Sequence, residues 1–189
     1  QVLQLINLVP QYPVVNTNLQ IVTRCSVRTT AANTVQIKVA KGTPPQALTS
    51  TELSSLQTYV DTLGFLLVYE VVSSEADKMG ITADIYYNGQ YSATIKDNVI
   101  AAIEAYFAAI PFDGVVRLTD IALAVKGVTG VNDIVFNTVY GRQDSGGSNF
   151  YLVQSNVELS RQFNTVAGYI VGETTTGSTL ADTLNFIAE

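Results

Sequence analysis

The clearest strand pattern in the chain is TVQIKVAK, residues 34–41, in which Val35, Ile37 and Val39 alternate with polar residues. A strand points successive side chains to opposite faces of its sheet, so this spacing puts the three apolar residues on one face. The pattern therefore predicts a strand with one covered face and one polar face.

The segment that follows predicts a helix and carries both parts of a helix start. Thr49 is placed as the N-cap, and Glu52 three residues later completes a capping box. Leu48 and Leu53 are spaced to form the accompanying hydrophobic staple, and Gly64 provides a left-handed stop. The apolar stripe predicted to face the core is Leu53, Leu56, Val60 and Leu63.

Two strands and the longest helical pattern follow. Residues 65–73 are apolar on both faces, residues 74–80 form a polar connection, and residues 81–88 place Ile81, Ala83, Ile85 and Tyr87 on one side. Residues 92–111 predict a helix that ends at a proline. Its expected apolar face is Ile95, Val99, Ala102, Ile103, Tyr106 and Ile110.

Glycines separate short elements between residues 112 and 140. Residues 112–114 predict a turn, residues 115–118 a short strand, and Thr119 is a candidate cap for a helix through Lys126. Gly127 and Gly130 bracket a tight corner where a positive φ costs glycine little. Residues 131–140 then predict a strand with Val131, Val135 and Val139 on one face and Ile134, Phe136 and Tyr140 on the other.

The order β-α-β-β-α-β-α-β from residue 34 predicts an α+β fold with helices packed on a mainly antiparallel sheet. We expect a ferredoxin-like βαββαβ core with an extra βα insertion and strand-rich terminal segments. Residues 1–33 form an N-terminal arm or strands, residues 34–140 the α+β domain, and residues 150–189 C-terminal strands and a short helix. The polar loop 141–149 is the best candidate boundary, and Leu180, Leu184 and Ile187 have helical spacing.

Composition restricts the classes of partner. The 189 residues are 47% hydrophobic and only 14% charged, with a net charge of −6. Acidity without a basic stripe disfavours nucleic acid, and no apolar run reaches the length of a membrane span. A surface that is poor in charge is easier to desolvate against a partner protein, although an ordinary extracellular-type surface has the same composition.

The residue types for common chemistry are missing or badly spaced. The chain has no histidine, which removes Ser-His-Asp and Cys-His arrangements and most zinc sites. Its one cysteine, Cys25, is expected to be a buried structural thiol. The carboxylates Glu70, Glu75, Asp77 and Asp84 do not have the spacing of a calcium loop, and Glu75 and Asp77 are expected to cap or solvate a turn. We predict no catalytic residue, no cofactor and no metal.

An ordered series of segments resembles the conserved part of the Baseplate J-like family, the wedge proteins of contractile phage tails and related injection machines. The segments are VQIKVAKG, LTSTELSSLQTYVD, VVSSEADKMGITADIYYNG, IEAYFAAIPFDGVV and RLTDIALAVKGVTGVNDIVF, within about residues 25–140. In that family a helix, a glycine-bearing corner and a short motif lead into a closing strand. The residues at these structural positions here are Gly114, Gly127, Gly130, Val131, Asp133 and Ile134.

The resemblance implies a virion component of a phage tail baseplate, made in the bacterial cytoplasm, that assembles with itself and with other tail proteins. Candidate interface residues are Tyr86, Tyr91, Phe136 and Tyr140, because aromatic residues are enriched at interfaces. The alternative is a ferredoxin-like regulatory domain that binds a small molecule, which would need a concave site with a few polar groups. An enzyme that uses only paired carboxylates is the least favoured hypothesis, because no periodicity brings two carboxylates together.

Overall fold

The computed structural model describes residues 4–6, 9–11, 20–30, 34–63 and 68–189, and the described chain is an α+β fold with several sheets. The helices are α1 (Ser50–Leu63), α2 (Ile95–Ala109), α3 (Leu118–Lys126) and α4 (Leu180–Thr183). The strands are β1 (Gln4–Ile6), β2 (Val9–Gln11), β3 (Val22–Thr29), β4 (Thr34–Lys41), β5 (Val68–Val72), β6 (Asp77–Tyr87), β7 (Val115–Arg117), β8 (Val131–Arg142), β9 (Phe150–Gln154), β10 (Val157–Glu158), β11 (Gln162–Asn164), β12 (Ile170–Gly172) and β13 (Leu184–Ala188).

The largest sheet is built around β6. Strand β8 pairs antiparallel with one edge of β6, and β9 and β10 continue the sheet on that side. On the other edge, β12 and β13 pair parallel with successive parts of β6. Residues 150–189 supply four strands to this sheet: β9, β10, β12 and β13. The loop 143–149 lies within the segment that was predicted as a boundary. It connects β8 to β9, and these two strands pair with each other.

The core lies between one face of this sheet and the helices α2 and α3. As predicted, Ile81, Ala83, Ile85 and Tyr87 of β6 all point into it. The strand begins at Asp77, so the prediction of a polar connection over 74–80 was wrong at its end: Met79 is fully buried and extends the same alternation. The buried residues of α2 are Ile95, Val99, Ile103 and Phe107, the last of which the periodicity did not select.

Strand β8 is irregular, and this changes the faces predicted for it. Its register against β6 shifts twice, between the partners of Thr82 and Ala83 and between those of Tyr86 and Tyr87. Each shift is a bulge that moves later side chains to the opposite face. The residues that join the core are therefore Val131, Ile134, Phe136 and Val139, whereas Val135 is 43% exposed and Tyr140 pairs with Gly80 on the other face.

Strands β3, β4 and β5 form a separate three-stranded sheet with α1 on one face, here called the N-terminal layer. The capping box is confirmed: the Thr49 backbone N–H donates to Glu52 Oε2 at 2.7 Å, and the Glu52 N–H donates to Thr49 Oγ1 at 3.3 Å. The predicted staple residues Leu48 and Leu53 share one small cluster with Val39 and Val71. Gly64 and the start of the strand predicted at 65–73 lie outside the described residues.

The order of elements from residue 34 agrees with the prediction, but the ferredoxin-like core is not confirmed. Strands β4 and β5 pair parallel in the N-terminal layer, β6 and β8 belong to the large sheet, and β7 pairs with β11. Two local predictions were wrong. The cap of α3 is Arg117 and not Thr119, and the helical spacing at residues 180–187 resolves into the short helix α4 followed by the strand β13.

A buried ion pair joins the N-terminal layer to the main core. Lys38 of β4 donates through Nζ to the carboxylate of Asp113, and both side chains are 7% exposed. Asp113 also accepts hydrogen bonds from Ser26 and Arg28, and its own N–H donates to Gly168 O at 2.7 Å. Asp113, in the turn predicted at 112–114, has φ of +64°. Its hydrogen bonds stabilise this uncommon backbone conformation.

Candidate functional site

The face of the large sheet turned away from α2 and α3, here called the open face, is partly exposed. It carries the alternate residues of β6, of which Thr82, Asp84 and Tyr86 are half-buried. The register places Val135 of β8 and Asn185 of β13 on either side of Asp84. Strand β8 was predicted to be apolar on both sides, and its Val135, on this open face, is 43% exposed.

Polar side chains are paired along the open face. Asp84 accepts a hydrogen bond from Asn185 Nδ2 at 2.9 Å and another from Asn137 Nδ2 at 3.1 Å. These two bonds lower the pKa of Asp84 and hold it as a carboxylate. Further along, Arg142 forms a two-point ion pair with Glu173, both contacts at 2.7 Å. The face therefore presents satisfied polar groups between apolar ones.

The four candidate interface residues do not form one surface. Tyr86 and Tyr140 belong to the open face, and the Tyr140 ring lies 5.8 Å from that of Tyr151. Phe136 is on the opposite side of β8 and packs against the core. Tyr91 is 36% exposed and its ring covers Gly130, at the turn before β8. The bulges in β8 explain why alternation alone did not separate Phe136 from Tyr140.

The glycines of the family-like motif occupy tight positions of different kinds. Gly130 has φ of +97°, and a Cβ there would lie 2.5 Å from the Tyr91 ring. Gly127 caps the end of α3 with a right-handed φ of −73°, so it does not supply the left-handed corner predicted for it. At Gly114 a Cβ would meet Pro111 O at 2.6 Å. Gly130 and Gly114 are therefore both required by close approach.

The three remaining motif residues lie at the start of β8. Val131 and Ile134 are half-buried and pack against the core. Asp133 is exposed, and its carboxylate accepts a hydrogen bond from Lys126 Nζ at 3.0 Å, which lowers the pKa of Asp133. At the α3–β8 corner, Val131 and Ile134 therefore supply the packing, and Asp133 adds an exposed ion pair.

The candidate carboxylates are dispersed, and Cys25 is not where it was expected. Asp77 is 1% exposed and accepts hydrogen bonds from the N–H groups of Val166 and Ala167, so it organises a turn. In the described residues no group of three or more histidine, cysteine or acidic side chains is placed to hold a metal ion. Cys25 is exposed on the edge strand β3, which corrects the prediction of a buried thiol.

Sequence patterns missed an apolar cleft of about 830 Å³ between the N-terminal layer and the main core. Its walls come from Pro44 and Pro45, from α2, and from β12 and α4. The charged residues in its lining are Arg24, Glu104 and Glu173. The volume falls in the range of small-molecule sites, which are mostly apolar with a few polar groups. Elements distant in sequence form this cleft, so no local pattern could have predicted it.

Large apolar side chains are exposed on the N-terminal layer. Val27 of β3 is 61% exposed, Leu63 of α1 is 64% exposed and Val68 of β5 is 67% exposed. Leu63 belongs to the stripe that was predicted to face the core, and Tyr59 on the same helix is 58% exposed. We call these four residues the apolar rim of the layer.

The sequence matches no protein-family model and no curated protein. Among the described helices, none is both long enough and apolar enough to cross a membrane.

Proposed function

We propose that this chain is a structural component of a bacteriophage tail baseplate or related injection machine, located in the virion and acting through assembly with itself and with other tail proteins. The observation that carries the proposal is the apolar rim: four large apolar side chains of one small layer are each more than half exposed. Apolar side chains that are exposed in this way gain free energy when a partner protein covers them. The resemblance of residues 25–140 to baseplate wedge proteins supports the same function.

The proposed mechanism is mechanical. The main core is densely buried, and the Lys38–Asp113 ion pair ties the N-terminal layer to it. A module held in this way presents its rim at a fixed angle, so contraction of a tail would move subunits as rigid bodies. No step of this mechanism requires a reacting group.

The test is binding to tail proteins encoded next to this chain, measured by light scattering and co-purification. We expect wild type to form a complex and Leu63→Ser with Val68→Ser to lose it while keeping the circular dichroism spectrum. Phe150→Ser is the matched control, because Phe150 is 49% exposed but lies on β9, away from the rim. A wild-type chain that binds none of these proteins and stays monomeric would contradict the proposal.

The apolar cleft favours a second candidate, a domain that binds a small molecule with an apolar body and an anionic group. Arg24 would pair with the anion, while Phe107, Ile110 and Phe112 would enclose the body. A thermal-shift screen of amphipathic carboxylates tests this candidate. A stabilising compound whose effect disappears in Arg24→Ala supports it, and the absence of any stabilising compound counts against it.

A further inference from the structure

The outer edge of β13 differs from the other edges of the described sheets. Edge strands expose unpaired N–H and C=O groups, and proteins usually guard them with charges, prolines or covering side chains. Strands β3, β5 and β13 are the described edge strands of five residues or more. The sequence of β13, LNFIA, contains neither a charged residue nor a proline.

The other two long edges are guarded. Strand β3 carries Arg24 and Arg28. On β5 the side-chain amide of Gln57 from α1 takes the place of a neighbouring strand: its Nε2 donates to Tyr69 O at 2.8 Å and its Oε1 accepts from the Val71 N–H at 2.7 Å. Gln57 thus satisfies two outward groups of β5, and no equivalent side chain covers β13 in the described residues.

The hydrogen bonds of β13 show which of its backbone groups face outward. Glu189, directly after the strand, donates its N–H to Tyr87 O of β6 at 2.9 Å. Backbone groups of alternate residues point to the same side of a strand, so Asn185 and Ile187 also face β6. Phe186 and Ala188 therefore direct their N–H and C=O groups away from the sheet, and no described residue hydrogen-bonds with those outward groups.

We propose that β13 is a strand-addition edge that pairs antiparallel with β13 of a second copy of this chain, which joins the two large sheets across a twofold axis near Phe186. In a twofold contact each strand pairs with its own copy, so charged residues on the strand would lie close to charges of the same sign. Strand β13 has no charged residue and avoids this repulsion. Ile187 is half-buried and Val171 of β12 is 39% exposed on the same edge, so apolar surface would be buried as well. One five-residue strand buries less area than a standard interface, so the dimer is weak and concentration-dependent.

The proposal rests on the proposed function only for its biological role, because self-association through β13 and binding of other tail proteins through the apolar rim use different surfaces. The test is sedimentation velocity over a concentration series on wild type, Ala188→Pro and Ala188→Val. Proline removes the outward N–H of residue 188 without touching the ladder to β6, and such an edge position tolerates it. Valine keeps the N–H and is the matched control.

We expect wild type and Ala188→Val to dimerise as concentration rises. Ala188→Pro should associate at least about tenfold more weakly, because a symmetric dimer loses the same hydrogen bond twice. Amide hydrogen exchange at Phe186 and Ala188 should slow with concentration in wild type, as a direct readout of the edge. If Ala188→Pro proves unfolded, Ala188→Lys replaces it in the test. This variant guards the edge with a charge and should be monomeric.

Two results would overturn the proposal: a wild-type chain that is monomeric at every concentration, or an Ala188→Pro chain that is folded and dimerises like wild type. If wild type does not dimerise but still binds tail proteins through the apolar rim, the edge inference fails and the proposed function stands. If it dimerises through β13 but binds no tail protein, the edge inference stands and the proposed partners are wrong.

Discussion

The N-terminal layer and the main core are both sheets covered by helices, yet they bury very different amounts of side chain. In the main core, α2 alone contributes four buried residues and β6 alternates buried residues along its whole length. In the layer, α1 has no buried residue, and its cluster has three buried members: Val39, Leu48 and Val71. The layer has 14 helical residues in α1 but little apolar burial to stabilise them.

The comparison shows that a well-defined helix need not be a well-buried one. Helix α1 has the stronger local start, because its capping box is complete and Lys41 donates to Glu52 at 2.6 Å. Helix α2 has no side-chain cap bond at Thr94, and its packing replaces that contribution. A layer stabilised mainly by local hydrogen bonds and a few ion pairs leaves apolar residues available for a partner, as the proposed function requires.

The largest difference between the regions should appear on truncating one apolar side chain in each. Ile103→Ala in α2 removes a fully buried side chain and should lower the free energy of unfolding by about 4 kcal/mol. Leu56→Ala in α1 removes a half-buried one and should cost about 1 kcal/mol. Urea unfolding followed by circular dichroism measures both losses of unfolding free energy. Equal losses would contradict the conclusion that α2 is better buried than α1.

Removing the connection between the regions should come next in size. Asp113→Ala leaves the Lys38 ammonium buried without its carboxylate and should cost about 3 kcal/mol. Hydrogen exchange should then speed up in β4 and β5 more than in β6. Asp133→Ala is the control, because its ion pair with Lys126 is exposed and should contribute little.

Acid should destabilise the main core through Glu173. The two-point hydrogen bonds from Arg142 lower the pKa of Glu173 to about 2 from an ordinary value of 4.5. A carboxyl whose pKa is lower in the folded state stabilises the fold at pH values above its ordinary pKa, and this contribution is lost as pH falls from about 4.5 towards about 2. Glu173→Gln should therefore flatten the decline of the unfolding midpoint over this interval, and an unchanged decline would show that Glu173 is not responsible.

The smallest predicted effect concerns the cap of α1. Thr49→Ala removes the hydroxyl that accepts the Glu52 N–H and should cost about 1 kcal/mol, with the loss confined to the layer. Thr94→Ala before α2 is the matched control, because Thr94 makes no side-chain cap bond there. Unfolding curves that show the same loss for both variants would mean that the capping box contributes nothing specific.

Several features of the fold could be predicted because their causes lie within a few residues of one another. The capping box at Thr49, the alternation in β6 and the positive φ at Gly130 each depend on a local sequence pattern. The face of Phe136 could not be predicted, since the bulge that moves it comes from pairing with β6. For the same reason the helical spacing after Leu180 was misleading: β13 becomes a strand because β6 offers it an edge.

The amino-acid sequence alone was enough to predict the α+β class and the succession of elements from residue 34. Local propensity and periodicity are properties of neighbouring residues, so these needed no knowledge of the fold. Only three-dimensional packing decided the division into several sheets, the apolar cleft, the buried Lys38–Asp113 pair and the edge of β13 that no described residue covers. Each of these features depends on which segments, distant in sequence, pack against one another. That packing is determined by the free energy of the whole chain and not by neighbouring residues.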